Sequence, residues 1–248
     1  MGKTYEALER AQKEYLEKLP ETFHAPQRAD DFRQAKQIPM QVPPDRLHEL
    51  KTKLVVGFPE GPIKTIMLTT TAKGSGSSTM AASFATTLAH DCRLNVLLID
   101  ANLRSPRLHE IFNIEPHHGR PNLLSEEEEK VPLTRKVGPV NIMLTPFGKK
   151  GLSPLAIFES TSFDKIIKRM REKFDYVILD APPVKGYAET KVIGKKVDGV
   201  ILVIESGKTR QQVAKRAKQD LERAGAKVLG VILNRRKYYI PEWIYKRL

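Results

Sequence analysis

Nearly continuous apolar runs, separated by segments with helical periodicity, constrain the fold of this chain more than any other feature. Predicted strands cover residues 63–70, 95–102, 140–147, 176–183, 199–206 and 226–234. Predicted helices between them cover residues 79–92, 105–112, 161–174, 189–197 and 209–225. Strands without an exposed polar face are buried on both sides, and helical connections allow neighbouring strands to run parallel. The pattern therefore predicts a doubly wound α/β domain with a mainly parallel sheet, in which ligands bind at the carboxyl ends of the strands.

The N-terminal part of the chain differs in pattern from the rest and is predicted to form a helical arm. Residues 1–19 have a helical apolar stripe, and residues 19–44 combine several prolines with charge and little periodicity, which is typical of a linker. Helical spacing returns at residues 45–54. We therefore predict an arm at 1–44 and one domain at 45–248.

The composition favours an anionic partner, excludes an internal disulfide and argues against a membrane-spanning segment. Lys and Arg number 42 against 29 Asp and Glu, a formal net charge of +13, and the excess is concentrated in residues 205–248. A solvated basic surface also explains this charge. The single cysteine, Cys92, excludes an internal disulfide. No apolar run approaches the ~20 residues of a membrane span, and the N-terminus lacks the apolar core of a signal peptide, so we expect a cytoplasmic protein.

Three of the predicted strands end in residues of a kind that binds phosphate or metal. The first strand leads into a glycine loop, the second ends at Asp100, and the fourth ends at Asp180. A carboxylate at the end of a strand beside a phosphate loop is the arrangement that holds Mg²⁺ on a nucleotide. One such aspartate alone is commonly a helix cap, but three polar strand ends in this order predict a nucleotide site.

The glycine loop departs from the usual phosphate loop at one position. The pattern is Gly-x-x-x-x-Gly-Lys-[Ser/Thr], in which the lysine follows the second glycine, and this chain has Ser77 after Gly76. Gly74, Gly76 and the N-terminus of the next helix still offer backbone N–H groups, which bind an anion without a lysine. The loop is therefore predicted to bind a nucleotide weakly.

Several segments together resemble the bacterial tyrosine kinases, or BY-kinases, of capsule and exopolysaccharide systems, which belong to the MinD/ParA class of P-loop NTPases. They are the glycine loop, the Walker A′ segment at 96–112, the Walker B segment at 174–184, and two segments at 197–210 and 230–235. The resemblance spans about residues 45–235. It implies a P-loop NTPase fold with ATP or ADP and Mg²⁺ as cofactors.

The resemblance also assigns roles to individual residues. The hydroxyl of Ser78 would be a ligand of Mg²⁺, with Asp100 and Asp180 as its acidic supports. Asn234 and Arg235 would lie at the base of the nucleotide. The phosphate loop would consist of Lys73, Gly74, Ser75, Gly76, Ser77, Ser78 and Thr79.

Two departures from the family pattern bear on catalysis. Ser77 replaces the loop lysine, which neutralises charge on the β- and γ-phosphates, and Asn102 replaces the second carboxylate of the A′ segment, which the family is thought to use to activate the attacking tyrosine. By analogy with a lost oxyanion donor, the missing charge would lower the rate by a factor on the order of 10² to 10³. Because Asn102 cannot accept a proton, we expect phosphoryl transfer to be very weak or absent.

Lys73 is the candidate for compensation within the loop. The MinD/ParA loop carries an early lysine at the position of Ala72, so Lys73 stands one residue late. It either reaches a phosphate from the outer edge of the loop or points into solvent, and we favour solvent. An active autokinase that uses Lys73 is the first alternative function. A MinD/ParA-like positioning ATPase that binds membrane or DNA is the second, and Ala72 disfavours it, so nucleic acid is the least favoured partner.

The resemblance implies protein partners and a location. In the family, the cytoplasmic tail of an inner-membrane polysaccharide co-polymerase is the partner, and a Glu-x-x-Arg-x-x-Arg helix mediates ring assembly. This chain has Asp45, His48 and Lys51 at those positions, and lysine lacks the bidentate fork of arginine. A homo-oligomer through residues 45–54 and recruitment to the inner face of the membrane are the corresponding expectations.

The C-terminus offers two interpretations. Tyr238, Tyr239 and Tyr245 stand where the family carries a tyrosine-rich tail that is its own substrate, which makes them candidate phosphoacceptors. The apolar residues among them favour an anchor that packs on the domain or on a partner, and we prefer this second interpretation. Basic residues interleaved with the aromatic ones also suit peripheral contact with a membrane.

Overall fold

The structure is a computed structural model that describes residues 44–58, 61–114, 135–143 and 153–236. The helix and linker predicted before residue 44 lie outside these ranges, and so do Tyr238, Tyr239 and Tyr245. The division of the chain into an arm and a domain, and both interpretations of the C-terminus, therefore stay predictions.

Seven helices and seven strands occur in the described residues. The helices are α1 (Pro44–Gly57), α2 (Ser77–His90), α3 (Leu108–Ile111), α4 (Pro154–Glu159), α5 (Thr161–Lys173), α6 (Ala188–Gly194) and α7 (Gln211–Arg223). The strands are β1 (Thr65–Thr70), β2 (Val96–Asp100), β3 (Arg135–Val137), β4 (Val140–Met143), β5 (Tyr176–Asp180), β6 (Gly199–Glu205) and β7 (Val228–Asn234). Every predicted strand has a counterpart among them.

The strands form one sheet in the order β3-β4-β2-β5-β1-β6-β7. Every neighbouring pair is parallel except β3 and β4, which are antiparallel. The register sets Asp180 at the end of β5 beside Asp100 at the end of β2, and beside Leu68 of β1 on its other side. The prediction of a mainly parallel sheet is confirmed, and the three polar strand ends meet at one edge of it.

Helices cover both faces of the sheet and produce two apolar cores. On one face, α2 approaches the strands closely because its inward side chains include Ala81, Ala82 and Ala85, and buried leucines of α1 complete this core. On the other face, α5, α6 and α7 each bury an apolar stripe. Burial on both faces explains why the strand sequences are nearly continuous apolar runs.

Two elements depart from their predicted bounds for physical reasons. The helix predicted at 105–112 is only Leu108–Ile111, because the residue before Pro106 is biased away from the helical conformation. Helix α2 begins at Ser77, earlier than predicted, because Gly76 ends the loop in a left-handed conformation with φ of 87°. The short elements β3 and α4 are not predicted, since so few residues carry too little periodicity to be recognised.

Candidate nucleotide site

The shape of the glycine loop between β1 and α2 depends on two glycines. Gly74 and Gly76 have φ of 86° and 87°, a conformation that other residues rarely adopt. Gly76 is also constrained by packing, because a Cβ there would collide with Nδ2 of Asn234. Conformation therefore favours glycine at both positions, and at position 76 a side chain would in addition displace the amide of Asn234.

Hydrogen bonds within the loop leave the start of α2 open. The hydroxyls of Ser75 and Thr70 both donate to the carbonyl oxygen of Ala72, at 3.0 and 3.3 Å. Gly76, the residue before α2, has no side chain that could cap the first turn, and the N–H groups of a first turn have no partner within the helix. Such groups bind anions, so the start of α2 offers backbone donors where the phosphate site is predicted.

Ser77, Ser78 and Thr79 form the first turn of α2, and Lys73 lies in the loop before it. Ser77, at the position of the usual lysine, is 8% exposed, whereas Lys73 is exposed and makes no ion pair with any described residue. The segment 74–79 contains no basic side chain. The start of α2 therefore presents hydroxyl and amide groups to a phosphate, but no positive side chain of its own.

Asp180 is a fully buried carboxylate, and within the described structure neither of its oxygens accepts a hydrogen bond of ordinary geometry. Burial, with a smaller effect of the neighbouring Asp100, raises the pKa of Asp180 to about 8, although the nearby hydroxyls of Ser78 and Ser77 oppose this shift. An unpaired buried carboxylate costs free energy that a bound cation would recover. Asp180 therefore fits the predicted role as a support for Mg²⁺.

Asp100 is buried beside Asp180, but backbone donors already engage its carboxylate. Oδ2 accepts hydrogen bonds from the N–H groups of Arg107 and Leu108 at 2.9 and 3.0 Å, and Oδ1 accepts one from Asn102 at 3.3 Å. Burial raises the pKa of Asp100 above its usual value, and the hydrogen bonds from these donors only partly offset this effect. Asp100 thus organises the A′ segment and caps the start of α3, so that any part in metal binding comes in addition to this role.

Asn102, at the position of the second family carboxylate, begins the turn that follows β2. Its side chain is half-buried, and its carbonyl oxygen accepts a hydrogen bond from the N–H of Ser105 at 3.0 Å. Since its own N–H is bound by Asp100, the backbone of Asn102 is fixed next to the two buried carboxylates. The structure brings Asn102 to the predicted location, with an amide where the family has an acid.

Asn234 supports the glycine loop from the end of β7. Its Nδ2 donates to the carbonyl oxygen of Ser75 at 2.9 Å, and its Oδ1 accepts from the N–H of Arg235 at 2.9 Å. Arg235 has φ of 53°, and its guanidinium lies 3.4 Å from Oε1 of Glu205. The contact of Asn234 and Arg235 with a nucleotide base stays a prediction, while the structure assigns Asn234 to the support of the loop.

An ion pair that no sequence pattern indicates joins the A′ segment to the first turn of α6. Nε of Arg104 donates to Oε1 of Glu189 at 2.8 Å, and the Glu189 side chain is only 3% exposed. The guanidinium carbon of Arg104 also lies 5.9 Å from the ring centre of Tyr187. The arginine belongs to a recognisable motif, but its partner lies 85 residues further along the chain, where no local pattern marks it.

Helix α1, which carries the residues predicted to mediate assembly, packs on the domain. Leu47 and Leu54 are buried, and Nε2 of His48 lies 3.2 Å from Oδ2 of Asp91 after the end of α2. His48 therefore makes a contact within the chain at the position where the family uses an arginine for assembly. None of the described helices is long and apolar enough to span a bilayer.

Comparison with known proteins gives concordant matches. The ParA family model described as "NUBPL iron-transfer P-loop NTPase" matches residues 62–245, a range that includes every strand of the sheet. The chain is similar to the tyrosine-protein kinase CpsD of Streptococcus agalactiae serotype III (strain NEM316), with 31% identity over 173 residues that cover 69% of this chain and 74% of the relative.

Two further matches agree. The tyrosine-protein kinase YwqD of Bacillus subtilis (strain 168) is 29% identical over 199 residues, which cover 80% of this chain and 84% of the relative. The solved kinase domain of the Escherichia coli tyrosine kinase ETK has the same fold, with a TM-score of 0.71 at 20% identity over 91% of this chain and 89% of that one.

Proposed function

Because this chain belongs to the ParA-type P-loop NTPases and, among them, to the bacterial tyrosine kinases, we propose that it is a weakly active or inactive member with a regulatory role in capsule or exopolysaccharide synthesis or export. One observation carries the proposal: an open helix N-terminus and a buried, unpaired Asp180 face a loop without a lysine at Ser77. Such a site binds a nucleotide more readily than it transfers a phosphoryl group.

Mg²⁺ with ADP or ATP is the cofactor that suits this site. The N–H groups at the start of α2, with Gly74 and Gly76 in the loop before it, would hold the phosphates. Ser78 and Asp180 would hold the metal, with support from Asp100. Bound Mg²⁺ would supply positive charge to the phosphates and would favour the ionised form of Asp180, which burial disfavours.

Two substitutions account for weak phosphoryl transfer. Ser77 offers a hydrogen bond without charge, which lowers the rate by a factor on the order of 10² to 10³. The amide of Asn102 cannot take the proton of an attacking tyrosine, although its backbone is held beside Asp100 at 3.3 Å. Since one loss concerns charge and the other proton acceptance, the two act on different parts of the transition state.

The partner that suits this function is the cytoplasmic tail of an inner-membrane polysaccharide co-polymerase. The protein would then act in the cytoplasm at the inner face of the membrane, as a nucleotide-dependent regulator of its partner. Homo-oligomerisation through residues 45–54 belongs to the proposal, with weaker assembly than an arginine would give, because His48 is engaged by Asp91. The net charge of +13 would assist peripheral contact with the membrane.

Incubation with labelled ATP and Mg²⁺, followed by mass spectrometry, tests the loss of transfer. We expect no phosphate on Tyr238, Tyr239 or Tyr245 in the wild-type protein. The double variant Ser77→Lys/Asn102→Asp should label its tyrosines, because it restores both the charge and the proton acceptor. The control Ser77→Ala/Asn102→Ala should stay unlabelled.

Two outcomes would contradict the proposal. Wild-type labelling as fast as that of the double variant would refute the loss of kinase activity. For the nucleotide itself, calorimetry with Mg²⁺-ADP is the measurement, and the absence of heat at millimolar nucleotide would refute binding.

An active autokinase is the second candidate function, and one observation favours it. The side chain of Lys73 is exposed and makes no ion pair with any described residue, so its amine is free to turn toward a phosphate. Lys73→Ala would then abolish tyrosine labelling, while Lys185→Ala, at an exposed lysine outside the loop, would not. Iron transfer is not favoured, because Cys92 alone cannot supply the thiolates of an iron–sulfur cluster.

A further inference from the structure

The ion pair between Arg104 and Glu189, which we name the A′ brace, differs from an ordinary surface salt bridge. The carboxylate of Glu189 is 3% exposed, and Arg104, which reaches it through Nε at 2.8 Å, is 53% exposed. No other hydrogen bond or ion pair in the described structure reaches the side chain of Glu189. A buried carboxylate with one partner depends on that partner, because its removal leaves an uncompensated charge.

On the Glu189 side, the A′ brace is attached to a rigid part of the site. Two hydrogen bonds attach the segment between β5 and α6 to β1. The N–H of Ala181 donates to the carbonyl oxygen of Leu68 at 3.0 Å, and the N–H of Val184 donates to the carbonyl oxygen of Thr70 at 2.8 Å. Thr70 is the last residue of β1, directly before the glycine loop. Glu189 is therefore held in a fixed relation to the strand that leads into the loop.

On the Arg104 side, the turn of the A′ segment after β2, at residues 102–107, has few attachments of its own. Asp100 binds the N–H groups of Asn102 and Arg107, and the turn between them contains one local hydrogen bond from Ser105 to Asn102. Among residues 103–106, the bond from Arg104 is the one hydrogen bond to another element of the described structure. Without it, this turn would be held to the rest of the site by packing and by Asp100 alone.

We propose that Arg104 is a positioning residue for the nucleotide site: through Glu189 it fixes the turn at residues 102–107 of the A′ segment, which begins with Asn102, relative to the glycine loop. A segment that is ordered before the ligand arrives pays less for ordering on binding, so the A′ brace raises the affinity for Mg²⁺ and nucleotide. The effect on affinity rests on the proposed function, whereas the effect on the A′ segment does not.

Three variants of the ligand-free and ligand-bound protein test this inference. Arg104→Ala removes the A′ brace, and the isosteric Glu189→Gln keeps an acceptor for Nε. Arg171→Ala is the matched control, because Arg171 is 45% exposed and lies 3.2 Å from the 17% exposed carboxylate of Asp198. That pair lies at the opposite end of the sheet, where Asp198 accepts the N–H groups of Lys64 and Thr65.

Hydrogen exchange measures the A′ segment directly. In Arg104→Ala, amide exchange at residues 102–108 is expected to be about tenfold faster than in the wild type, with β2 unchanged. Glu189→Gln and Arg171→Ala should leave exchange at residues 102–108 near the wild-type rate. Unchanged exchange in Arg104→Ala would overturn the inference, whatever the nucleotide result.

Calorimetry with Mg²⁺-ADP measures the effect on the site, in the wild-type protein and in the Ser77→Lys background, where the added positive charge is expected to strengthen binding. Affinity is expected to fall about tenfold with Arg104→Ala and less than about twofold with Glu189→Gln or Arg171→Ala. Unchanged affinity, or an equal loss with Arg104→Ala and Arg171→Ala, would overturn the positioning role. No binding in either background would refute the proposed function, while hydrogen exchange would still decide whether the A′ brace holds its segment.

Discussion

Asp180 is the residue whose protonation matters most, because its carboxyl group is buried and its pKa is about 8. This value lies above the value of ~3.9 for an unfolded chain, so the folded state binds the proton more tightly. The resulting contribution to stability is fully present below about pH 4. It falls as the pH rises from about 4 to about 8, because the unfolded chain releases a proton that the folded protein still holds, and it is gone above about pH 8.

Asp180→Asn is expected to remove this dependence on pH. Between about pH 5 and pH 8, the wild type should lose a few kcal/mol of unfolding free energy relative to the variant, since each unit of pKa corresponds to about 1.4 kcal/mol. Urea unfolding at both pH values measures the difference, and groups shared by the two proteins cancel. The control Asp45→Asn, at an exposed position of α1, should follow the wild type. Parallel pH profiles for wild type and Asp180→Asn would contradict the assignment.

Among the elements, α3 depends most directly on one side chain. It has only 4 residues, far fewer than a helix that is stable alone, and Asp100 accepts the N–H groups of Arg107 and Leu108 at its start. Asp100→Ala is expected to lower the unfolding free energy by about 1–3 kcal/mol without any metal, because buried donors lose their acceptor. Asp100→Asn, which keeps one acceptor oxygen, should lose less. A purely metal-binding Asp100 would instead leave the metal-free stability unchanged, as urea unfolding in chelator would reveal.

The elements that the sequence predicted are those with a long local pattern. The parallel strands β1, β2, β5 and β6 are buried on both faces, so their apolar runs alone indicate strands. Strand β3 has no such pattern, because Arg135–Val137 is a strand through its antiparallel pairing with β4, as between Lys136 and Asn141. Pairing of this kind depends on the fold and leaves no periodicity in the sequence.

The same distinction applies to the site. Parallel topology was enough to predict that Asp100 and Asp180 meet at one edge of the sheet. Their different roles were not predictable. Asp100 caps α3 only because the A′ segment after Pro106 turns the N–H groups of Arg107 and Leu108 toward its carboxylate. The partnership of Arg104 with Glu189 likewise follows from the packing of distant segments. The motifs therefore predicted which residues lie together at the site, whereas the hydrogen-bond partners of each residue could be read only from the structure.

For the molecule as a whole, ligand binding and global stability are linked. A ligand that binds only the folded state raises the unfolding free energy by RT ln(1 + [L]/Kd). A net charge of +13 also attracts anions without regard to the loop, and added salt screens that attraction. A test of the nucleotide site by stability therefore has to separate binding at the loop from binding to the basic surface.

Mg²⁺-ADP at about ten times its dissociation constant is expected to raise the unfolding free energy by about 1.4 kcal/mol, which shifts the midpoint temperature by about 3–6 °C for a domain of this size. Ser77→Lys should reach the same shift at a lower ADP concentration, because the lysine adds a charge-assisted contact. Asp180→Asn should lose the part of the shift that needs Mg²⁺. Thermal unfolding in sodium chloride of equal ionic strength is the control. A wild-type shift that sodium chloride reproduces in full would mean that ADP acts through the basic surface and not at the loop, because chloride screens the net charge without resembling a phosphate.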